Sequence, residues 1–181
     1  METSVHDARV GLLPTPTLLE LQGPADDVLP RLRRLGLADP PALRCARSGG
    51  LELLRPGPGH WLLLAPSDAA PGLLTQVLAE PVGADTLVVD VSDGWAHFRV
   101  EGAGAGALLA SASPLDTHPR AFAADGATFT EAFGLRALVL RRPDGFQLAV
   151  ERSHCPMVAG WFARLQGRPQ AGPLVAGRDF C

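Results

Sequence analysis

The spacing of apolar residues changes character along the chain, and each change predicts a different element. Residues 51–55 and 61–65 are short apolar runs separated by a Pro-Gly-Pro-Gly turn, which is typical of two neighbouring strands. Residues 158–165 instead repeat apolar side chains three and four positions apart, which predicts a helix. The chain therefore mixes strands with helices.

The same criteria give a complete set of predicted elements. The predicted strands are residues 18–21, 42–47, 51–55, 61–65, 86–91, 95–101, 128–133, 135–141 and 146–151. The predicted helices are residues 24–35, 71–80, 103–111 and a last helix that Ser153 caps. Arg142-Pro-Asp-Gly145 is a turn signal that predicts a hairpin between the last two strands.

Helix and strands follow one another in a similar way in residues 18–80 and, with the order shifted, in residues 86–166. This repetition predicts an α+β protein made of two related α/β half-modules with mainly antiparallel sheets. We place the N-terminal half-module at residues 1–84 and the C-terminal one at residues 85–166. Residues 167–181 are either an arm that docks on another surface or a disordered tail.

Two neighbouring strands carry different patterns. Residues 86–91 are mostly apolar, which predicts a strand buried on both faces. Residues 95–101 alternate, and we expect the face that bears Trp95, His97 and Arg99 to meet water or a partner.

Composition excludes several classes of protein. With 181 residues, 46% of them hydrophobic, the chain can bury one sizeable core or two fused ones. Its net charge of -3 and its scattered basic residues argue against nucleic-acid binding. All 16 basic residues are Arg, so Schiff-base and P-loop lysine chemistry are excluded. No secretory or membrane-spanning segment is evident, and we expect a soluble, cytoplasmic protein without membrane contact.

Three local patterns could carry chemistry, but each has a structural interpretation that we favour. Gly102-Ala-Gly-Ala-Gly-Ala107 matches a dinucleotide-binding pattern, yet the alternating strand before it is not that of a Rossmann fold, so we assign the glycines to a turn and close helix packing. Cys155, at a helix start, is interpreted as a buried structural residue. Asp116 and His118 are too few for a metal site, and we expect Asp116 to accept nearby backbone N–H groups.

Several motifs taken together resemble the gamma subunit of heterotetrameric sarcosine oxidase. The resemblance is carried by residues 89–94, 100–102 and 107–109, by Pro-Leu-Asp-Thr-His-Pro at 114–119 with Phe122, by Thr128 and Thr130, and by residues 135–141, 151–153 and 160–162. It covers residues 86–166 and is weak before them. Ser113, where this family often has Cys, and Thr117, where it usually has an apolar residue, depart from the pattern.

The resemblance implies a fold like that of the folate-binding aminomethyltransferases of the glycine cleavage system. It also implies a subunit with no catalytic residues, cofactor or metal of its own. FAD, FMN, NAD, tetrahydrofolate and zinc would belong to the alpha, beta and delta partner subunits, which oxidise sarcosine or a related N-methyl amine.

On this basis we expect the subunit interface to include Trp95, His97, Arg99, Asp116, His118, Phe122 and Phe180. Trp and Arg are the residue types that dominate interface energetics. The alternative is a stand-alone folate-binding or aminomethyl-transferring protein of the same fold, which would need a pocket with a carboxylate to hold the pterin.

Overall fold

A computed structural model of the protein describes residues 4–67 and 69–167. Its strands are β1 Arg9–Leu12, β2 Thr17–Gln22, β3 Cys45–Ser48, β4 Leu51–Gly57, β5 His60–Ala65, β6 Leu87–Asp90, β7 Trp95–Glu101, β8 Ala127–Ala132, β9 Leu135–Arg142 and β10 Gly145–Glu151. Its helices are α1 Ala25–Arg34, α2 Ala70–Val77, α3 Ala105–Ala110 and α4 Cys155–Leu165. The chain divides into two compact units.

One unit consists of residues 14–92 and 125–128. Its five-stranded sheet has the order β3-β4-β5-β2-β6, and its paired strands are antiparallel. The helices α1 and α2 supply Val28, Leu32 and Leu73 to the core, where they meet residues of the sheet such as Leu19 and Trp61. Burial of this helix stripe against the inner face of the sheet holds the unit together.

The other unit contains residues 4–13, 93–124 and 129–167 of the described chain. Its sheet has the order β1-β7-β10-β9-β8, and β7 pairs antiparallel with both β1 and β10. Phe98, Val100 and Leu148 of the sheet pack with Leu108 of α3 and Phe162 of α4 in its core.

The predicted fold class is confirmed, because both sheets are antiparallel wherever their register is defined and helices complete each core. The hairpin at residues 142–145 is also confirmed, since Gly145 of β10 lies opposite Arg142 of β9. The units differ from the predicted half-modules in three places: β1 joins the sheet of the second unit, β6 joins that of the first, and residues 125–128 belong to the first unit. Thus β1, from the predicted N-terminal half-module, pairs with a strand of the C-terminal one, and β6, from the predicted C-terminal half-module, pairs with a strand of the N-terminal one.

Two local predictions were wrong. Residues 86–91 do not form a central strand, because β6 lies at the end of its sheet, with Leu87 51% and Val89 37% exposed. Ser153 does not cap the last helix, because a 3-10 turn at residues 152–154 precedes α4 and His154 stands at the N-cap without a side-chain bond. The arm, with Phe180, lies beyond the described residues. Within those residues, no helix is long and apolar enough to cross a bilayer.

Candidate functional site

A hydrogen-bonded chain of three side chains connects half-buried Arg142 of β9 through buried Gln147 of β10 to buried His97 of β7. Nε and one terminal nitrogen of Arg142 donate to Oε1 of Gln147 over 3.0 and 2.6 Å. Nε2 of Gln147 lies 2.9 Å from Nδ1 of His97. Because Oε1 of Gln147 accepts from Arg142, its amide nitrogen donates, so Nδ1 of His97 is the acceptor and Nε2 carries the proton of the neutral ring.

The prediction that His97 faces water or a partner is corrected by its burial, since only 1% of the residue is exposed. Burial lowers the pKa of His97 to about 4, and the positive charges of Arg152 and Arg142 lower it further in the same direction. Its Nε2 atom has no hydrogen-bond partner among the described residues. His97 is therefore a neutral residue that helps to order the strand face, and its neighbours supply the exposed groups.

Trp95, at the start of β7, is half-buried and its backbone is fixed by Arg152. Arg152 donates from Nε to the carbonyl of Asp93 at 2.6 Å and from a terminal nitrogen to the carbonyl of Trp95 at 2.9 Å. The Trp95 ring lies 5.8 Å from the ring of Phe129, and the guanidinium of Arg136 lies 3.9 Å from the Phe129 centroid. These contacts combine aromatic and cation–π geometry at the sheet surface.

Arg99 is the exposed charge of the same strand, with half of its side chain accessible. Its Nε atom lies 2.7 Å from Glu101, whose carboxylate also lies 3.4 Å from Nε of Arg9 on β1. Exposed pairs of this kind contribute little stability, because water and ions screen them. The ion pairs of Arg99 with Glu101 and Asp144 therefore contribute little to folding.

Side chains within the loop at residues 113–122 bond to its own backbone. Oδ1 of Asp116 accepts from the N–H of His118 at 2.9 Å, and Nδ1 of His118 accepts from the N–H of Arg120 at 3.2 Å. The structural interpretation of Asp116 is therefore confirmed. Asp116 and His118 are exposed, whereas Phe122 is only 2% exposed and belongs to the core, so Phe122 anchors the loop rather than presenting a surface.

Ser113, which opens this loop, is also buried and satisfied. Its hydroxyl donates to the carbonyl of Glu131 at 2.5 Å and accepts from the N–H of Leu115 at 3.3 Å. The hydroxyl thus joins the loop to strand β8, and the departure from Cys at this position has a structural role.

The glycines before α3 permit close packing, as predicted. A Cβ on Gly102, whose φ is +98°, would lie 2.6 Å from the carbonyl oxygen of Asp7, and one on Gly104 would lie 2.2 Å from that of Ser4. The strands on both sides of β7 run antiparallel to it, so the parallel pair that a Rossmann site requires is not formed. The nucleotide interpretation is excluded on this ground.

A cleft of about 500 Å³ opens beside these glycines. It is lined by Gly106, Thr117, Arg141, Asp144 and Phe146, together with neighbouring small residues. Arg141 donates to the carbonyl of Thr117 at 2.9 Å and lies 4.8 Å from the Phe146 centroid, and Asp144 is 74% exposed. This cleft was not predicted from the sequence, because its residues come from a helix, a loop and a hairpin turn.

The predicted interface residues fall into two groups. Trp95 and Arg99 lie on one strand face, and Asp116 and His118 lie on the loop, while His97 and Phe122 support these two features from inside. Over residues 4–67 and 69–167, no three His, Cys, Asp or Glu side chains converge as a metal site would require. Arg142 and Gln147 were missed, although Gln147 is a polar residue inside an apolar strand, which marks a side chain that needs a buried partner.

This architecture defines an α+β protein with the fold of a glycine cleavage system aminomethyltransferase. The glycine cleavage system aminomethyltransferase T of Bartonella henselae superposes with a TM-score of 0.64 at 17% identity, covering 88% of this chain and 47% of that one. A chain of the heterotetrameric sarcosine oxidase of Corynebacterium sp. U-96, solved with pyrrole 2-carboxylate, superposes with a TM-score of 0.80 at 23% identity, covering 88% of this chain and 84% of that one.

The family model for the sarcosine oxidase gamma subunit matches residues 25–166. The chain belongs to the sarcosine oxidase, gamma subunit family. The resemblance seen in residues 86–166 is thus confirmed, and it extends through most of the first unit. A comparison with curated sequences found no match.

Proposed function

We propose that this chain is a non-catalytic structural subunit of a sarcosine-oxidase-type flavoenzyme complex in the cytoplasm. The observation that carries the proposal is the gamma-subunit family match over residues 25–166. Polar groups of β7, β10 and the loop support it, because the side chains of His97, Gln147 and Ser113 form hydrogen bonds within the fold. The reaction is the oxidative demethylation of sarcosine or a related N-methyl amine.

The partners in this proposal are an alpha, a beta and a delta subunit. They carry FAD, FMN, NAD, tetrahydrofolate and zinc, and this chain binds none of these groups itself. The comparison with a heterotetrameric sarcosine oxidase supports an assembly with other chains. The assignment of each cofactor to a partner follows from the family resemblance and is part of the proposal.

The surface that we assign to the partners comprises Trp95, Arg99, Asp116 and His118, with Phe180 of the arm. Trp95 and Arg99 combine an aromatic face with a charge whose present ion pair is exposed, which is the composition typical of strong interface contacts. His97 and Phe122 are buried and support the strand and the loop that carry this surface.

A test of this surface replaces Trp95 and Arg99 together by Ala in the tagged protein expressed in its native host. We expect the partners recovered with the variant to fall at least tenfold, because interface Trp and Arg truncations each cost about 2 kcal/mol or more. Glu52→Ala, on β4 of the other unit, is the control and should leave recovery unchanged. Full recovery with the double variant would reject this surface, and absence of partners from the unaltered protein would reject the function.

One observation favours a second function, that of a folate-binding protein acting alone. The cleft beside α3 has a volume within the range of ligand sites and offers the carboxylate of Asp144. If this function is correct, titration of the isolated chain with tetrahydrofolate will show saturable micromolar binding that Asp144→Asn weakens at least tenfold. No binding, or binding unaffected by the substitution, would reject it.

A further inference from the structure

The strand β6 presents an open backbone edge at the end of its sheet. The N–H of Val91 donates to the carbonyl of Leu18 at 2.9 Å, and Val89 lies opposite Glu20 in the antiparallel register. Because hydrogen-bonded and non-hydrogen-bonded pairs alternate in such a ladder, Val89 also points its amide toward β2. Val88 and Asp90 therefore direct their N–H and C=O groups away from the sheet, where another strand could pair with them.

The side chains of this edge are apolar and exposed. Leu87 is 51% and Val89 37% exposed, and alternation along the strand places both on one face. Val88 points to the other face and packs against the core. Edge strands are commonly protected from pairing by short length, charged side chains, Pro or a bulge; β6 is short and ends in Asp90, but Leu87 to Val89 include no charged residue, Pro or bulge. A short apolar edge without a charge, Pro or bulge is suited to pairing with a specific strand.

The segment of the chain that contains β6 is acidic in sequence. None of the 16 Arg residues lies between Arg55 and Arg99, whereas several carboxylates do. Asp85 and Asp90 are both exposed at the ends of the strand, and no ion pair joins either of them to an Arg in the described part of the chain. Glu20 extends the acidic character beside Val89, where it accepts from Gln22 and contacts His60 at 2.9 Å. The edge is thus an apolar strip bordered by carboxylates.

We propose that an extended segment of a partner subunit joins the sheet at β6 by strand addition. Its apolar side chains would cover Leu87 and Val89, and Arg or Lys residues on either side of them would face Asp85 and Asp90. Backbone bonds to Val88 and Asp90 would supply affinity, and the side chains would supply specificity. This inference rests on the proposed function, because it requires that the chain works within a complex.

Amide hydrogen exchange of the isolated chain and of the complex purified from the native host tests the proposal. We expect the amides of Val88 and Asp90 to exchange at least tenfold more slowly in the complex, while those of Leu87 and Val89, already bonded to β2, change less. Unchanged exchange at Val88 and Asp90 in a complex that does form would overturn the inference and leave the proposed function standing. If no complex forms, both are rejected.

Substitutions give a second test that does not depend on exchange rates. Val89→Lys and Asp85→Arg should each speed dissociation of the partners at least tenfold, because one places a charge in the apolar strip and the other reverses a bordering charge. Leu78→Lys, at a 43% exposed position at the end of α2, is the matched control and should dissociate as the unaltered protein does. Equal dissociation rates for all variants would overturn the inference. It would also be overturned if the β6 amides of the isolated chain exchanged more slowly at higher protein concentration, because a second copy of this chain would then occupy the edge.

Discussion

Nδ1 of His97 accepts a hydrogen bond from the side-chain amide of Gln147, and this contact fixes His97 as a neutral ring inside the protein. A neutral buried His couples folding to pH. The pKa of His97 is about 4 in the folded protein and has its ordinary value of 6.5 in the unfolded chain. The unfolded chain therefore binds more protons than the folded protein between these two pH values. The stabilisation is complete above pH 6.5 and is lost as the pH falls toward 4.

We therefore predict that the free energy of unfolding falls by about 3 kcal/mol between pH 7 and pH 4, as the two pKa values require. The measurement is urea unfolding of the purified protein at several pH values. His97→Gln, which cannot titrate, should show a much smaller decrease. The carboxylates of Asp27 and Asp125, whose pKa values are also lowered, act mainly below this window. An equal decrease in both proteins would contradict the role of His97.

Arg31 should be the most important charged side chain for stability in the first unit. Only 3% of it is exposed, and it donates to Asp27 at 2.8 Å and to the carbonyls of Val77, Glu80 and Pro81 at 3.2, 2.9 and 2.7 Å. Arg31→Met removes all of these bonds, although Asp27 still accepts from the N–H of Gly83, and we expect a loss of about 3–5 kcal/mol in chemical denaturation.

The control for this change is Arg34, one turn along the same helix. Its pair with Glu80 has a distance of 2.9 Å, but the two side chains are 40% and 62% exposed. Arg34→Met should therefore cost less than about 1 kcal/mol. Comparable losses for the two variants would show that the bonds of Arg31 are not a stabilising network.

Ser113→Ala should destabilise the protein by about 1–3 kcal/mol, because the carbonyl of Glu131 and the N–H of Leu115 lose their buried partner. Thermal unfolding of the variant measures this loss. Ser111, whose hydroxyl donates to the carbonyl of Ala107 at an exposed helix end, is the matched control. Its replacement by Ala should change the free energy of unfolding by about 0.5 kcal/mol at most. A neutral Ser113→Ala would contradict the structural role given to this hydroxyl.

Two glycines at the start of α3, Gly104 and Gly106, should respond in opposite ways to replacement by Ala. At Gly104 a Cβ would lie 2.2 Å from a backbone oxygen of Ser4, so Gly104→Ala must displace the N-terminal segment. At Gly106 the nearest atom would be Oγ1 of Thr117 at 3.7 Å, and Ala favours the helix. We expect lower stability for the first variant and a gain of up to about 1 kcal/mol for the second, measured by thermal unfolding. Equal effects would contradict the packing described for α3.

The sequence predicted elements well where local chemistry determines them. The hairpin at residues 142–145 follows from a Pro-Asp-Gly turn, and α1 ends at Arg34 with Leu35 as its C-cap, just before Gly36, whose φ is +76°. The sequence did not predict elements that depend on pairing with strands far away along the chain. β1 is short, contains Gly11 and forms only because β7 offers it an open edge. β6 has the composition of a central strand, and only the sheet order shows that it is terminal.

The candidate site shows the same division. Alternation correctly marked Arg99 as exposed, and the Asx contact of Asp116 follows from its sequence neighbours. His97 lies on the same face as Arg99, but it is buried where the pattern predicted exposure. Its burial depends on Gln147 and Arg142, which lie fifty and forty-five residues away along the chain. A period-two pattern shows which side chains share a face but not which of them find a buried partner.

The most direct test of the central claim is native mass spectrometry of the complex that the tagged, unaltered chain brings down from its native host. We predict one assembly that contains this chain with three further subunits, with bound flavin in the partner chains and sarcosine or N-methyl amine oxidase activity in the same fraction. Recovery of the chain alone, as a colourless monomer without that activity, would contradict the assignment of this protein as a subunit of a sarcosine-oxidase-type complex.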